Sequence, residues 1–293
     1  MKALIIAEHA AAAAELVAGA RTMADEVVAI SFGGAYECGA DKVLNITVPE
    51  GLAVDSAVET VNAAFDAEAP EVVLVEACRH MKVIAGSLAF HADTAVITDV
   101  TAFEAEGAKS MYFGGIAERV QKAAGNVAIY TIGAGVFDGA EGANGSVAEQ
   151  EWVAPARPVK VVSSQVIEKS GVNLFKADVV VAAGRGFAEE SQLSLANDLC
   201  DKLGAGLACS RPLTEGVNWL PTERYVGVSG LMLTPKVYIA AGVSGQRQHM
   251  VGCTRSGAIF AIHKDKTAPI FKQCDFGLIG DIKDVLPAIT AAL

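Results

Sequence analysis

The chain has no cluster of lysine or arginine. Its 23 basic residues are spread among 34 acidic ones, for a net charge of −11 over 293 residues. That argues against nucleic acid and anionic membranes as partners. Six cysteines (Cys38, Cys78, Cys200, Cys209, Cys253, Cys274) lie scattered, with no C-x-x-C and no histidine pair at ligand spacing. They read as buried thiols in a reducing compartment, the cytoplasm, and no metal site is expected. No apolar run has the length of a membrane span. A single lysine precedes an alanine-rich start broken by Glu8, His9 and Glu15, so no signal peptide is read. The dinucleotide fingerprint is also missing. Gly133-Ala-Gly135 runs on to Asp138, and Gly184-Arg-Gly186 runs on to Glu189, where a third glycine belongs. An ordinary NAD site is therefore not expected.

What is present is apolar. Hydrophobic residues make up 52% of the chain, which favours parallel sheets buried on both faces, and the length allows two domains. Strands are expected at Lys2–Ala7, Glu26–Phe32, Val43–Val48 and Glu71–Val75, and helices at 10–24 and 83–91. Val54, Val58, Val61 and Phe65 recur at helical spacing between them. Such alternation gives a parallel sheet with helices on both faces. Strands are also read at Ala95–Thr98 and Val127–Thr131, with a strand and turn at Met111–Gly115. This half shows no catalytic constellation. His80 and His91 read as helix-face residues without partners. The pattern collapses after Ala134. Gly139–Gly145 reads as a loop tip, and the prolines keep Trp152–Pro158 extended. The expected division is an α/β domain over 1–157 and a second over 158–293.

Six strands are read in the second half: Ala177–Gly184, Gly206–Cys209, Tyr225–Val228, Lys236–Ala241, Ala258–Ile262 and Phe276–Ile279. A helix over Glu189–Leu203 closes at Gly204, and Asp281 caps the last helix. A polar ligand-holding residue follows each strand: Arg185; Ser210 with Arg211; Ser229; Ser244 through His249; His263; Asp281. Right-handed crossovers bring such ends to one edge, where open α/β sheets bind ligands. The most informative stretch is Tyr238–His249. A buried strand breaks at Gly242-Val-Ser-Gly245 and resumes as a helix over Gln246–Cys253. Glycines let backbone approach a ligand, and free N–H groups of a first helical turn hold an anion. Gly-Val-Ser-Gly also occurs at Gly227–Gly230.

Plainer readings stand beside this one. Ser244 sits in a near-match to the nucleophile elbow, but Gln246 replaces its last glycine and no carboxylate is placed to orient His249. Ser244 could equally cap a helix, Arg211 could pair with a surface carboxylate, Ser229 could serve only its turn, and His249 could face solvent. Cys209 and Cys253 read as buried thiols. Trp219 and Tyr225 suit either a site lining or the core.

The second half resembles the FAD domain of the electron transfer flavoprotein alpha subunit family. The resemblance rests on Gly184-Arg-Gly186, Cys209-Ser-Arg211, Tyr225-Val-Gly-Val-Ser-Gly230, Pro235 through His249, Ala261-Ile-His-Lys-Asp265, Ala268-Pro-Ile-Phe271 and Asp275 through Asp281, in the family's order and spacing. It is strong over residues 160–293 and extends to the first half only in general layout. It implies two α/β domains, each a mostly parallel sheet flanked by helices, the second a Rossmann-like FAD-binding domain. It also implies a heterodimer with a beta subunit, which the first domain would contact. Single electrons would pass from flavin dehydrogenases of acyl-CoA type to a further acceptor. Arg185, Ser210, Arg211, Val226, Gly227, Val228, Ser229, Ser244, Gly245, Gln246, Arg247, Gln248, His249, His263, Asp281 and Ile282 would line the FAD. Within that set, Arg211 would lie against the flavin ring, Ser229 would bond N5 and His249 would face the pyrimidine oxygen. Two positions depart from the family: His263 stands for an asparagine and Ser229 for a threonine. A stand-alone flavin- or NAD-binding oxidoreductase and a nucleotide-binding partner module remain the alternatives.

Overall fold

The computed structural model describes residues 1–139, 142–165 and 172–293. Part of the expected 139–145 loop tip, residues 140 and 141, lies outside them. The chain forms two compact units, Met1–Tyr112 with Glu118–Val166, and Phe113–Ala117 with Ile167–Leu293.

The first unit is built on a nine-stranded sheet. Its strands are β1 (Lys2–Ile6), β2 (Glu26–Phe32), β3 (Lys42–Ile46), β4 (Val72–Glu76), β5 (Val96–Glu104), β6 (Gly107–Tyr112), β7 (Ala117–Gln121), β8 (Ala128–Ile132) and β9 (Ser146–Glu149). They run in the order β7-β6-β5-β8-β4-β1-β2-β3-β9. Pairing from β5 through β8 to β9 is parallel, whereas β5 and β6 are antiparallel. The central strands are near-continuous Val, Ile, Leu and Ala because helices cover both faces. Alternate side chains of β1 divide between two cores, Ala3 and Ile5 in one, Leu4 and Ile6 in the other. One core packs on α1 (Ala10–Arg21), the other on α2 (Val58–Glu68) and α3 (Arg79–His91). Between the strands read at Ala95–Thr98 and Val127–Thr131, the chain forms a long bulged β5 followed by short β6 and β7; its mixed polarity reflects a partly exposed sheet margin. Residues 153–161 are tied to this unit. Thr60 Oγ1 accepts from Val153 N–H (2.9 Å) and Ser56 Oγ from Val159 N–H (2.9 Å).

The second unit holds a five-stranded parallel sheet in the order β11-β10-β12-β13-β14: β10 (Val179–Ala183), β11 (Gly206–Cys209), β12 (Val237–Ala241), β13 (Ala258–His263) and β14 (Phe276–Ile279). α4 (Leu193–Leu203) ends at Gly204 in the left-handed region, as its sequence predicts. α5 (Pro212–Glu215) and α6 (Arg247–Met250) are single turns. α7 (Ile282–Ala292) starts at Asp281, whose Oδ1 accepts from Lys283 N–H at 3.0 Å. Leu199 of α4 and Leu286 of α7 are fully or almost fully buried on one face; Tyr238 and Ile270 fill the other. Each such side chain contributes about 1.5–3 kcal/mol of burial.

Two expectations change. Tyr225–Val228 is not a strand. Tyr225 makes one parallel bridge to Cys209, then Gly227, at φ +149°, turns the chain back so that Val226 meets Leu231. The sheet thus has five strands, not six. The helix expected over Gln246–Cys253 is only four residues long, because Gly252-Cys-Thr-Arg-Ser-Gly257 is a poor helix former.

Candidate functional site

The order of the second sheet reverses between β10 and β12. β10 leads to β11 on one side, and β12 lies on the other. That switch point leaves a crevice at the carboxyl edge. Its floor is glycine from both loops. A Cβ on Gly186 would sit 2.5 Å from Gly242 Cα, and one on Gly242 would sit 2.7 Å from Gly186 Cα. Gly242 also has φ +65°. The two loops are bonded through Gly186 N–H to Gly242 C=O at 2.9 Å.

Above this floor lies a cleft of about 590 Å³. Twelve of the sixteen residues expected at a cofactor line it. Arg185 comes from the loop after β10, and Ser210 and Arg211 from the end of β11. Val226, Gly227, Val228 and Ser229 form the tight turn beside them. Ser244, Gln246, Gln248 and His249 follow β12, and His263 closes β13. The Val226–Ser229 turn is pinned by Val226 N–H to Cys209 C=O (2.9 Å) and Val228 N–H to Gln248 C=O (2.8 Å). The remaining four lie elsewhere. Gly245 and Arg247 face a separate recess with Gln246 and Gln248. Asp281 and Ile282 line a small neighbouring recess that shares Gly186, Gly242, His263 and Lys264.

The β12 loop offers the anion cradle in altered form. A one-turn helix has little macrodipole. Instead, the backbone N–H groups of Val243 through Gln248 make no hydrogen bond among the described residues. Ser244 does not cap α6, whose N-cap is Gln246. Arg185, Arg247 and Lys264 lack carboxylate partners among the described residues, in a chain rich in carboxylates. Arg211 differs. Its Nε lies 2.6 Å from Glu215 Oε2 in an exposed pair one helical turn long, so the surface-pair reading holds even though Arg211 also lines the cleft.

His249 is buried, not solvent-facing as the plain reading had it. Its Nε2 lies 2.9 Å from the hydroxyl of fully buried Tyr238, which the Cys253 thiol also reaches. The imidazole nitrogen is the stronger acceptor, so the hydroxyl donates to Nε2 and the ring proton stays on Nδ1. Nδ1 is buried and, among the described residues, makes no well-formed hydrogen bond, although the Val226 backbone carbonyl lies near it. Nor, among the described residues, does any carboxylate orient this ring, which speaks against the hydrolase reading of Ser244 and His249. Cys209 and Cys253 are inert, their thiols pushed up to about 12 by burial. His263 Nδ1 accepts from Asp265 N–H at 3.0 Å, which leaves Nε2 as its donor. Tyr225 serves as both lining and core, whereas Trp219 packs only into the core.

Burial pushes the His249 imidazole down to about 4 from 6.5. Between those values the unfolded chain binds a proton that the folded chain refuses. The stability from this group is therefore complete above pH 6.5 and is lost as pH falls to about 4. From pH 7 to pH 5 the second unit is expected to lose about 2 kcal/mol this way. Urea titrations at both pH values check it: His249→Gln should flatten the dependence, and an unchanged dependence would assign it to other groups.

Tyr238 and Lys264 are the residues that sequence reasoning missed. A tyrosine in an otherwise aliphatic strand, eleven positions before a histidine, was the available signal for the first.

The site's features fit a dinucleotide. An orphaned imidazole nitrogen needs a ligand acceptor, the unbonded amides and free cations suit a diphosphate, and the glycine floor admits close approach. The comparisons with known proteins agree. Residues 173–254 match the model of the electron transfer flavoprotein FAD-binding domain, and residues 3–157 match that of the electron transfer flavoprotein domain. Protein FixB of Escherichia coli O157:H7 is 38% identical over 293 residues, covering 95% of this chain and 94% of the relative. Protein FixB of Shigella flexneri matches at the same identity and coverage.

Proposed function

The chain belongs to the electron transfer flavoprotein alpha subunit family, and from that premise we propose that its FAD occupies the cleft at the β10–β12 switch point. It is an electron transfer flavoprotein alpha subunit that binds FAD and works with a beta subunit. FAD supplies the one-electron chemistry; the protein binds, orients and tunes it. The single observation that carries the placement is the run of unbonded amides from Val243 to Gln248 beside buried, orphaned His249 Nδ1.

In this reading the amides hold the diphosphate, with Arg185, Arg247 and Lys264 supplying positive charge. Ser210, Ser229, Gln246, Gln248 and His263 supply further hydrogen bonds, and Val226, Gly227 and Val228 give the cofactor an apolar wall. Ser244 and Gly245 shape the cradle. Asp281 and Ile282, in the adjoining recess, take the adenosine end. His249 donates from Nδ1 to a carbonyl oxygen of the flavin. Arg211 adds a weaker field than a lone arginine would, because Glu215 neutralises part of it.

The first unit, over 1–157 in the sequence division, contacts the beta subunit. Val83 and Phe90 support this reading: they lie seven residues apart on one side of α3, Phe90 91% exposed, and an apolar stripe of that kind needs a cover. Electrons come from a flavin dehydrogenase of acyl-CoA type, as in fatty acid oxidation. The heterodimer resides in the cytoplasm, where six free thiols stay reduced. Among the described residues, no helix is long and apolar enough to cross a membrane.

Co-expression with the beta subunit is the direct test. A complex should co-purify yellow, with FAD lost when the second unit is damaged, and an acyl-CoA dehydrogenase with its substrate should bleach it. A colourless complex that takes up no FAD would end this placement. A yellow complex that only other dehydrogenases reduce would correct the donor alone.

A further inference from the structure

The first unit has a switch point of its own. β1 leads to β2 and β3 on one side, while β4 lies on the other. At the carboxyl edge between β1 and β4, the chain concentrates donor groups that the flavin site does not use. Glu8 and His9 follow β1, and Cys78 follows β4 at the start of α3. One donor atom from each of these three lies within 4.8 Å of the others. Cys78 Sγ is 3.3 Å from Glu8 Oε2.

We propose that Glu8, His9 and Cys78 form a binding site for a zinc-class divalent cation at this sheet edge. Carboxylate, imidazole and thiolate together suit Zn²⁺ and leave a fourth position for water. Metal–ligand bonds of about 2.0–2.3 Å need donors roughly 3.2–3.8 Å apart. A movement of about 1 Å closes the set, and the His9 side chain, 65% exposed, has room for it while keeping its bond to Glu76.

The surroundings of the three donors are those a metal site needs. Glu76 Oε1 lies 2.6 Å from His9 Nδ1, and its Oε2 accepts the backbone N–H groups of Glu8 (2.8 Å) and His9 (3.1 Å). A carboxylate thus fixes both the imidazole and the backbone of the ligand pair, a common arrangement behind metal-bound histidine. His80 Nδ1 lies 2.9 and 3.0 Å from the two oxygens of Glu8. Its Nε2 faces Asp55 Oδ1 at 3.6 Å, and that oxygen is buried without a hydrogen-bond partner. Three carboxylates (Glu8, Asp55, Glu76) therefore meet two imidazoles, an excess of negative charge that a divalent cation balances. Cys78 is the N-cap of a 13-residue helix, and its protonated thiol, held up by burial and the nearby Glu76 and Glu8 carboxylates, donates to Glu8 Oε2, a proton that the cation would displace. Sequence spacing hid the set, because Glu8 and Cys78 are seventy residues apart. His80, read as a partnerless helix-face residue, belongs to it, whereas His91 pairs with Asp66 at 2.8 Å and packs edge-on against Phe65, away from this cluster.

The test is Co²⁺ titration of the FAD-loaded heterodimer under anaerobic, reducing conditions. One Co²⁺ per alpha chain should bind with thiolate-to-cobalt absorption in the near ultraviolet, read as a difference spectrum and abolished by Zn²⁺. Cys78→Ser should remove that absorption while FAD content stays unchanged. Cys274→Ser, at the other partly exposed cysteine, should leave it intact. Glu76→Gln should weaken Zn²⁺ binding by about tenfold to a hundredfold. No thiolate band in the wild type, or a band that survives Cys78→Ser, overturns the proposal. Because the readout is a cobalt–sulfur band in the first unit, its failure is independent of where FAD binds.

Discussion

Replacing Gly242 by alanine is expected to cost the second unit about 2–4 kcal/mol and to empty it of FAD. Two effects add. A residue with a Cβ is strained at φ +65°, by roughly 1–2 kcal/mol. The new methyl would also sit 2.7 Å from Gly186 Cα, inside backbone that cannot give way as a side-chain tip could. Relief requires the β10 and β12 loops to separate, which opens the floor of the cleft. Gly204→Ala is the control. Gly204 has nearly the same angle, φ +61°, but open space around it, and it lies at the end of α4. It should show the strain alone, about 1 kcal/mol, with full FAD content. Urea unfolding and flavin absorbance on both variants decide the matter. Equal losses in the two would mean that the interlocked glycines do not build the site.

His249→Ala is expected to lower the reduction potential of the bound flavin. Reduction adds negative charge to the ring, and a buried N–H donor stabilises it. A hydrogen bond to a charged group is worth about 1.5–3 kcal/mol, which is about 65–130 mV on a one-electron couple. Because burial holds the imidazole near 4, the group acts as a neutral donor at pH 7, not as a cation. The wild-type potential should therefore show no pH step from His249 between 6 and 8. Tyr238→Phe tests the same assignment from behind: without the hydroxyl, Nε2 loses its partner, the ring proton is shared between both nitrogens, and the potential falls by a smaller amount. Potentiometric titration of the three proteins gives the answer. An unaltered potential in His249→Ala would remove the imidazole from contact with the flavin.

Much of this site could be read from residues alone. Gly242 through Gln248 announced a turn that presents backbone to an anion, and the paired Gly-Val-Ser-Gly segments announced two small-residue loops at one sheet edge. The charges could not be read the same way. Arg185 and Arg211 each follow a strand, yet among the described residues one has no carboxylate partner and the other pairs with Glu215, because Pro212 starts a helical turn that brings Glu215 round to it. The six-strand expectation failed for a similar reason. Tyr225-Val-Gly-Val228 has strand composition, but Gly227 takes a left-handed-side φ and reverses the chain before a ladder can form.

The sequence by itself determined the class of fold, the order of strands and helices, the glycine-lined turns and the family. These follow from period, punctuation and local backbone preference, which act over a few residues. Only the tertiary structure decided which side chains meet: Tyr238 behind His249, Glu215 against Arg211, and Glu8 beside Cys78 at the other switch point. Strand crossovers and core packing set those meetings, and both depend on contacts between segments that no local pattern encodes.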